Sequence, residues 1–306
     1  MSVALAATLL FHLPDSRISE SSGLVASPSH AGIFWTHNDS GDTSRLFAVD
    51  SHGRTVGVWH LRVAPARDWE AITARRAAKP EVWAGDIGDN DSLRTNGILV
   101  HRMVEPARVT GGGSVAATSY RLRYPDGPHD AEAMFFAADG RLRIVTKSLL
   151  GGGIYAAPRS LRADRPNLLE RVGNAPPLVT DGAELPDGGY VLRDYAQAYV
   201  YAPSGDLLTT VDLPDQPQGE SLAVINGGRD VLVGSEGKDS AVYEVPLPAA
   251  ARASGRSPSA SPTSVVSAAD ANLRRRVHQL WLGVGGAVAL ALVALAGTLA
   301  LVRRRR

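Results

Sequence analysis

The sequence contains no cysteine. That absence excludes disulfides, thiolate metal sites, cysteine nucleophiles and iron–sulfur ligation together. Also missing are the G-x-S-x-G elbow, the H-E-x-x-H zinc motif, the P-loop and the G-x-G-x-x-G fingerprint. None of the chemistries those spacings serve is written in the chain. Lysine is scarce, 3 residues against 29 arginines, and two of the three, Lys147 and Lys238, fall in polar loop segments. An excess of one charge sign is lacking overall, the formal total being +1. That balance averages two unlike parts. Residues 1–251 hold 23 basic and 30 acidic side chains, a net of −7, whereas residues 252–306 hold nine arginines and one acid, Asp270. The acidic part has no electrostatic footprint for DNA or RNA, so nucleic acid is not expected as a partner.

Long apolar runs are absent with one exception. Leu280 to Val302 reads LWLGVGGAVALALVALAGTLALV, without a charge. At about 1.5 Å per residue this helix reaches roughly 35 Å, enough to cross a hydrocarbon core of about 30 Å. Trp281 sits where an interfacial aromatic belongs, and Arg303 to Arg306 close the other side. The expected organisation is a folded domain over residues 1–250, a Ser/Pro/Ala/Arg-rich linker over 251–277, and a transmembrane helix with a basic tail over 278–306. The expected location is the cell membrane, crossed once, with the lipid bilayer as a partner. The folded domain is then extracytoplasmic and the terminal arginines cytoplasmic, although Arg274 to Arg276 on the near side of the span weaken the charge bias. The opening MSVALAATLLFHL lacks a basic n-region and an A-x-A-like cleavage site. It reads better as a strand of the fold.

What is present is turn chemistry and a repeat. The 31 glycines and 19 prolines punctuate the chain into short runs, and 44% hydrophobic with 21% charged residues is a globular composition. An acid followed by small and apolar residues opens a strand-like run five times: Glu20, Glu70, Glu132, Asp181 and Glu220, spaced 39 to 62 residues apart. After each come a second strand ending in a polar loop and then a third, as in GIFWTHNDSGD leading to RLFAVD. Repeats of this length, with up to four short strands each, describe β-propeller blades. The expected fold is therefore all-β, a five-bladed β-propeller, or six-bladed if the long second unit merges two. The last unit, from Glu220 to Pro248, has room for three strands, and Val3–Leu13 supplies the fourth and closes the ring. An open β-sandwich is the competing reading.

In a propeller the first strand of each blade lines the central channel. The loop leading into it shares a face with the loop between strands two and three. The candidate metal ligands are then Glu20, Glu70, Glu132, Asp181 and Glu220, and the candidate ligand-facing residues are Asn38, Asp39, Asp86, Asp89, Lys147, Arg193 and Glu236. Asp68 and Asp130 lie in the incoming loops. Unpaired carboxylates buried around one axis cost several kcal/mol each. Raised pKa values, pairing with Arg193 and Lys147, or a bound cation would relieve them. Oxygen ligands in a ring suit Ca²⁺, which takes 6–8 of them, better than zinc or copper. Alternatively, the acids accept backbone N–H groups of neighbouring blades.

Eight segments in order, RISESSGL, FWTHNDSGD, RDWEAI, GDIGDN, YPDGPHDAEA, LVTDGAELPDG, PQGESLA and GSEG, resemble a family of actinobacterial secreted or membrane-anchored propeller proteins, WD40-like in kind. The resemblance spans Asp15 to Pro248 and implies an exported propeller. More distantly, the strand-initial acids are similar to those of calcium-activated nucleotidases (apyrases), five-bladed propellers with one Ca²⁺ on the axis. That resemblance implies Glu20, Glu70, Glu132 and Glu220 as ligands, with Asp181 in place of a fourth-blade ligand. A looser likeness links the chain to phytase-like esterase propellers, and neither likeness extends to a full catalytic set. The expected function is a membrane-anchored cell-envelope module that binds a small-molecule or cell-envelope ligand beside an axial Ca²⁺. The alternative is a metal-dependent hydrolase of phosphoanhydrides or phosphoesters.

Overall fold

The computed structural model describes residues 6–249. The expected linker and membrane span lie outside the described residues. Among the described residues, no helix is long and apolar enough to cross a membrane.

The described chain is all-β. β1 (Thr8–Leu13) precedes four meanders of four strands each and a last one of three. The first meander is β2 (Ser21–Ala26), β3 (Ile33–Asn38), β4 (Arg45–Asp50) and β5 (Thr55–Arg62). The second is β6 (Trp69–Arg75), β7 (Glu81–Asp86), β8 (Ile98–Val104) and β9 (Gly111–Arg123). The third is β10 (Ala131–Phe136), β11 (Leu142–Thr146) and β12 (Gly153–Ala156), followed by the two-residue β13 (Asn167–Leu168) and by β14 (Glu170–Asn174). The fourth is β15 (Asp181–Glu184), β16 (Tyr190–Arg193), β17 (Gln197–Tyr201) and β18 (Leu207–Asp212). The last comprises β19 (Gly219–Ile225), β20 (Asp230–Ser235) and β21 (Ser240–Pro246), and β1 adds to it along β21. The first two meanders are joined edge to edge where β5 runs parallel to β9, and β13 pairs with β9 from the third.

The first strands touch in cyclic order: β2 meets β6, β6 meets β10, β10 meets β15, β15 meets β19, and β19 meets β2. This is a propeller-like ring around an axis. Close approach at the axis is possible because the residue after each axial position is small: Gly23, Ala71, Ala133, Gly182 and Ser221. A Cβ on Gly182 would lie 2.6 Å from Leu192, and one on Gly23 would lie 2.9 Å from His37 Nε2. The core is divided to match. Each of five apolar clusters joins two consecutive meanders, as Phe135 and Val145 meet Leu192 and Tyr199 between the third and fourth. The cluster between the last meander and the first contains Phe11 and Leu13 of β1. The N-terminal strand therefore closes the ring over Thr8–Leu13; residues 3–5 of the expected strand lie outside the described residues.

Register decides what faces the axis. In β6, β10 and β19 one extra residue sits opposite the partner strand: Glu70 between the Trp69↔Asp86 and Ala71↔Gly85 pairs, Glu132 between Ala131↔Thr146 and Ala133↔Val145, and Glu220 between Gly219↔Ser235 and Ser221↔Gly234. In β2 the register shifts across Ser22 and Gly23. β-Bulges of this kind re-aim a side chain. β15 has no such shift, and Asp181 pairs directly with Arg193.

Candidate metal centre

The bulges bring Ser22, Glu70, Glu132 and Glu220 together, all buried. The Ser22 hydroxyl lies 3.4 Å from Glu70 Oε2, 3.1 Å from Glu220 Oε2 and 3.3 Å from Glu236 Oε1. It has one proton to donate to three carboxylates. Tyr195 OH and Gln218 Nε2 donate to the other oxygen of Glu220, at 3.4 and 3.1 Å. Glu132 accepts from Lys147 Nζ at 2.9 Å.

Two residues before each bulge stand Glu20, Asp68, Asp130 and Gln218. Their carbonyls accept the N–H of Asp39, Gly88, Lys147 and Glu236 respectively, at 2.9, 3.2, 3.0 and 2.8 Å. These bonds pin the second-to-third-strand loops beside the incoming loops. They also align Glu20 with Asp68 and Asp130 rather than with Glu70. Oxygens of Asp39, Asp68 and Glu70 lie within 4.8 Å of one another, as do those of Glu70, Asp130 and Glu132. Glu70 belongs to both triads. Gly88 leaves room beside it, since a Cβ there would lie 2.5 Å from Asp68 Oδ2 and 2.6 Å from Glu70 Oε1. Asp39 Oδ1 is buried and accepts no hydrogen bond from the described residues.

The electrostatics follow from burial and mutual repulsion. Burial, reinforced by Glu132, Asp39, Asp68 and Glu220, pushes the Glu70 carboxyl up to about 12. Burial takes Glu132 to about 8 against the pull of Lys147, and burial with Glu220 takes Glu236 to about 9. Asp39 rises to about 7 through burial and the charges of Asp68, Glu220 and Glu20. Asp68 and Asp130 also move up, chiefly by burial. Burial opposes the Lys147 charge, but Glu132, Tyr195 and Glu220 outweigh it and raise its pKa. Among the described residues, Lys147 is the one cation ion-paired to this group. Closely set oxygens, an orphaned buried carboxylate oxygen and a glycine-made recess fit a hard divalent cation.

The other expected site residues are occupied differently. Asp181 accepts the N–H groups of Gly182 and Leu222 at 2.7 and 2.6 Å, tying β15 to β19. Burial holds its carboxyl well above the usual range against those bonds and Arg193. Arg193 is wholly buried and donates to the carbonyls of Asp194, Ser221 and Gly234 and to Gln216 Oε1. Burial lowers it to about 10. It clamps the fourth meander to the last, and Lys147 is left to face the acids. Asn38 and Asp86 end the second strands of their meanders and accept N–H groups of the incoming loops, Ser19 and Glu20 for one and Arg67 and Asp68 for the other. Asp86 also forms a buried ion pair with Arg94. Asp89 caps its loop through the N–H groups of Leu93 and Arg94, while its own N–H donates to Asp130. Asp39 belongs to one of the triads, and Lys147 and Glu236 border the acid group.

Ser22, Gly88 and Tyr195 join the site without having been singled out in the sequence. A three-residue alignment of E-S-S, D-W-E, D-A-E and Q-G-E places Ser22 under the glutamates. Gly88 and Tyr195 have no comparable signal.

No protein-family model matches the chain, and no curated protein matches it. Among solved structures it is similar to the gluconolactonase of Xanthomonas campestris, 12% identical with a TM-score of 0.47 over 79% of this chain and 89% of that one. It is similar to the aldose sugar dehydrogenase of Streptomyces coelicolor, 12% identical with a TM-score of 0.46 over 79% and 98%. It is also similar to virginiamycin B lyase of Staphylococcus aureus, 11% identical with a TM-score of 0.44 over 79% and 100%. These neighbours are β-propeller enzymes.

Proposed function

We propose that the chain is a five-bladed β-propeller, each meander one blade, that binds Ca²⁺ at the acidic end of its channel and takes a small-molecule or cell-envelope ligand over that ion. A membrane span at residues 280–302, within a 278–306 segment that ends in a basic tail, holds it at the cell surface. The observation that carries the cation is the pair of carboxylate triads sharing Glu70. Asp39 and Asp68 form one triad with Glu70, Asp130 and Glu132 the other, and Ca²⁺ accepts 6–8 oxygens at 2.3–2.6 Å with flexible geometry. Mg²⁺ demands stricter octahedral geometry and retains water, which such a carboxylate-rich recess favours less. Bound charge would replace the protons that burial otherwise forces onto these acids.

Calorimetric titration of the chelated full-length protein with Ca²⁺ tests this. One saturable site is expected, weakened at least about tenfold in Glu70→Gln, which keeps the shape and removes a charge. Heats absent up to millimolar Ca²⁺, or unchanged in the variant, would overturn the assignment.

A second reading has its own support. Asp39, a member of one triad, is partly exposed and has a carboxyl raised to about 7, where a general base is most effective near neutrality. A metal-dependent hydrolase of phosphoanhydrides or phosphoesters would use it to take a proton from water, with Lys147 holding the phosphoryl group. The likeness of the strand-initial acids to those of apyrases, and the looser likeness of the chain to esterase propellers, favour the same reading. Phosphate release from nucleoside di- and triphosphates in Ca²⁺ separates the two.

A further inference from the structure

The channel's other end carries different chemistry. The last residues of the five first strands open into a cavity of about 950 Å³, whose apolar lining includes Leu24, Phe34, Ile72, Phe136 and Leu222. Beside it, between the second and third meanders, lies a pocket of about 220 Å³. Arg75, Phe136 and Gly140 line both, so the two spaces adjoin.

The smaller pocket gathers three guanidinium groups, Arg75, Arg102 and Arg159, and one carboxylate, Glu81. Arg102 pairs with Glu81 at 3.4 Å, and Trp83 Nε1 donates to the same carboxylate at 3.1 Å. Arg159 donates to the Asp139 carbonyl, a neutral partner. Arg75 lies 5.2 Å from the centroid of the Phe136 ring and, among the described residues, forms no ion pair; Glu184 feels its charge at longer range. Two positive charges thus converge without a paired acid, in a part of the chain whose net charge is −7. The floor is aromatic: Trp83 stacks on Tyr120 at 5.5 Å and meets Phe136 edge-on at 5.4 Å. Guanidinium forks match phosphate oxygens two at a time, and a dianion balances the two charges.

We propose that this pocket is a second binding site, for a small organic phosphate whose dianionic group lies among Arg75, Arg102 and Arg159 and whose apolar part passes Phe136 into the axial cavity. The test is ³¹P NMR titration of butyl phosphate into the full-length protein in maltoside micelles, with chelator present so that the acidic end plays no part. Saturable line broadening is expected, with inorganic phosphate about tenfold weaker because nothing fills the apolar cavity. Arg75→Gln and Arg159→Gln, both at exposed positions, should each weaken butyl phosphate about tenfold, while Glu81→Gln, which frees Arg102, should tighten it. A wild-type protein that leaves millimolar butyl phosphate unbroadened would overturn the proposal. So would a folded Arg75→Gln/Arg159→Gln variant that binds it as well as the wild type.

Discussion

Glu70 is the residue on which the acidic end turns, because it faces Asp39, Asp68, Asp130 and Glu132 together. With its carboxyl pushed up to about 12, the folded chain keeps a proton that the unfolded chain sheds above about 4.5. The unfolded state then binds fewer protons, so stability falls as pH rises, by up to about 1.4 kcal/mol per unit for one such group. Glu132, to about 8, and Glu236, to about 9, add to the decline over the lower part of the same range. In chelator, urea denaturation should therefore show wild-type stability falling from pH 5 to pH 9. Glu70→Gln should flatten the slope and exceed the wild type at pH 8. Saturating Ca²⁺ should reverse that ranking, since a ligand of the folded state stabilises it by mass action and the variant binds it less. A flat wild-type profile would mean that the acids have found counter-charge elsewhere.

Strand register, one scale up, separates the acids that converge from those that do not. Glu70, Glu132 and Glu220 each occupy a bulge, whereas β15 runs without one and Asp181 bonds to the backbone of β19. Asp181→Asn should consequently cost about 1–3 kcal/mol in a denaturant melt through weakened bonds to Gly182 and Leu222. Its Ca²⁺ affinity by calorimetry should stay within about twofold of wild type, and a large loss would return Asp181 to the metal site. The strand-initial acids and the repeat of meanders were legible in the sequence because both recur at each first strand. Bulges leave no such mark, since one extra residue in a strand resembles ordinary variation in length. Glu20 was therefore matched with Glu70 although its carbonyl bonds align it with Asp68 and Asp130. Arg193, expected to face a ligand or to pair with the acids, is bonded to three carbonyls and an amide oxygen, an arrangement that only the packing shows.

For the molecule as a whole, the closing strand is the decisive element. β1 buries Phe11 and Leu13 in the cluster shared by the last meander and the first. Those two side chains contribute about 1.5–3 kcal/mol each, and β1 also covers the otherwise free edge of β21. A chain beginning at Asp15 should lose its cooperative thermal transition and elute as aggregate on size exclusion. A melting temperature within a few degrees of the parent would show that three strands suffice. The closure also has a consequence in time. His12 hydrogen-bonds to Asp239, 227 residues further along. Of the described strands, the first to be synthesised is thus completed by the last. At about 5–20 residues per second, the nascent chain carries an unmatched β-edge for ~10–45 s before its partner exists. Whatever shields that edge during translation governs how much of the protein reaches its ring, and slowing the ribosome in the last meander should lengthen the vulnerable interval.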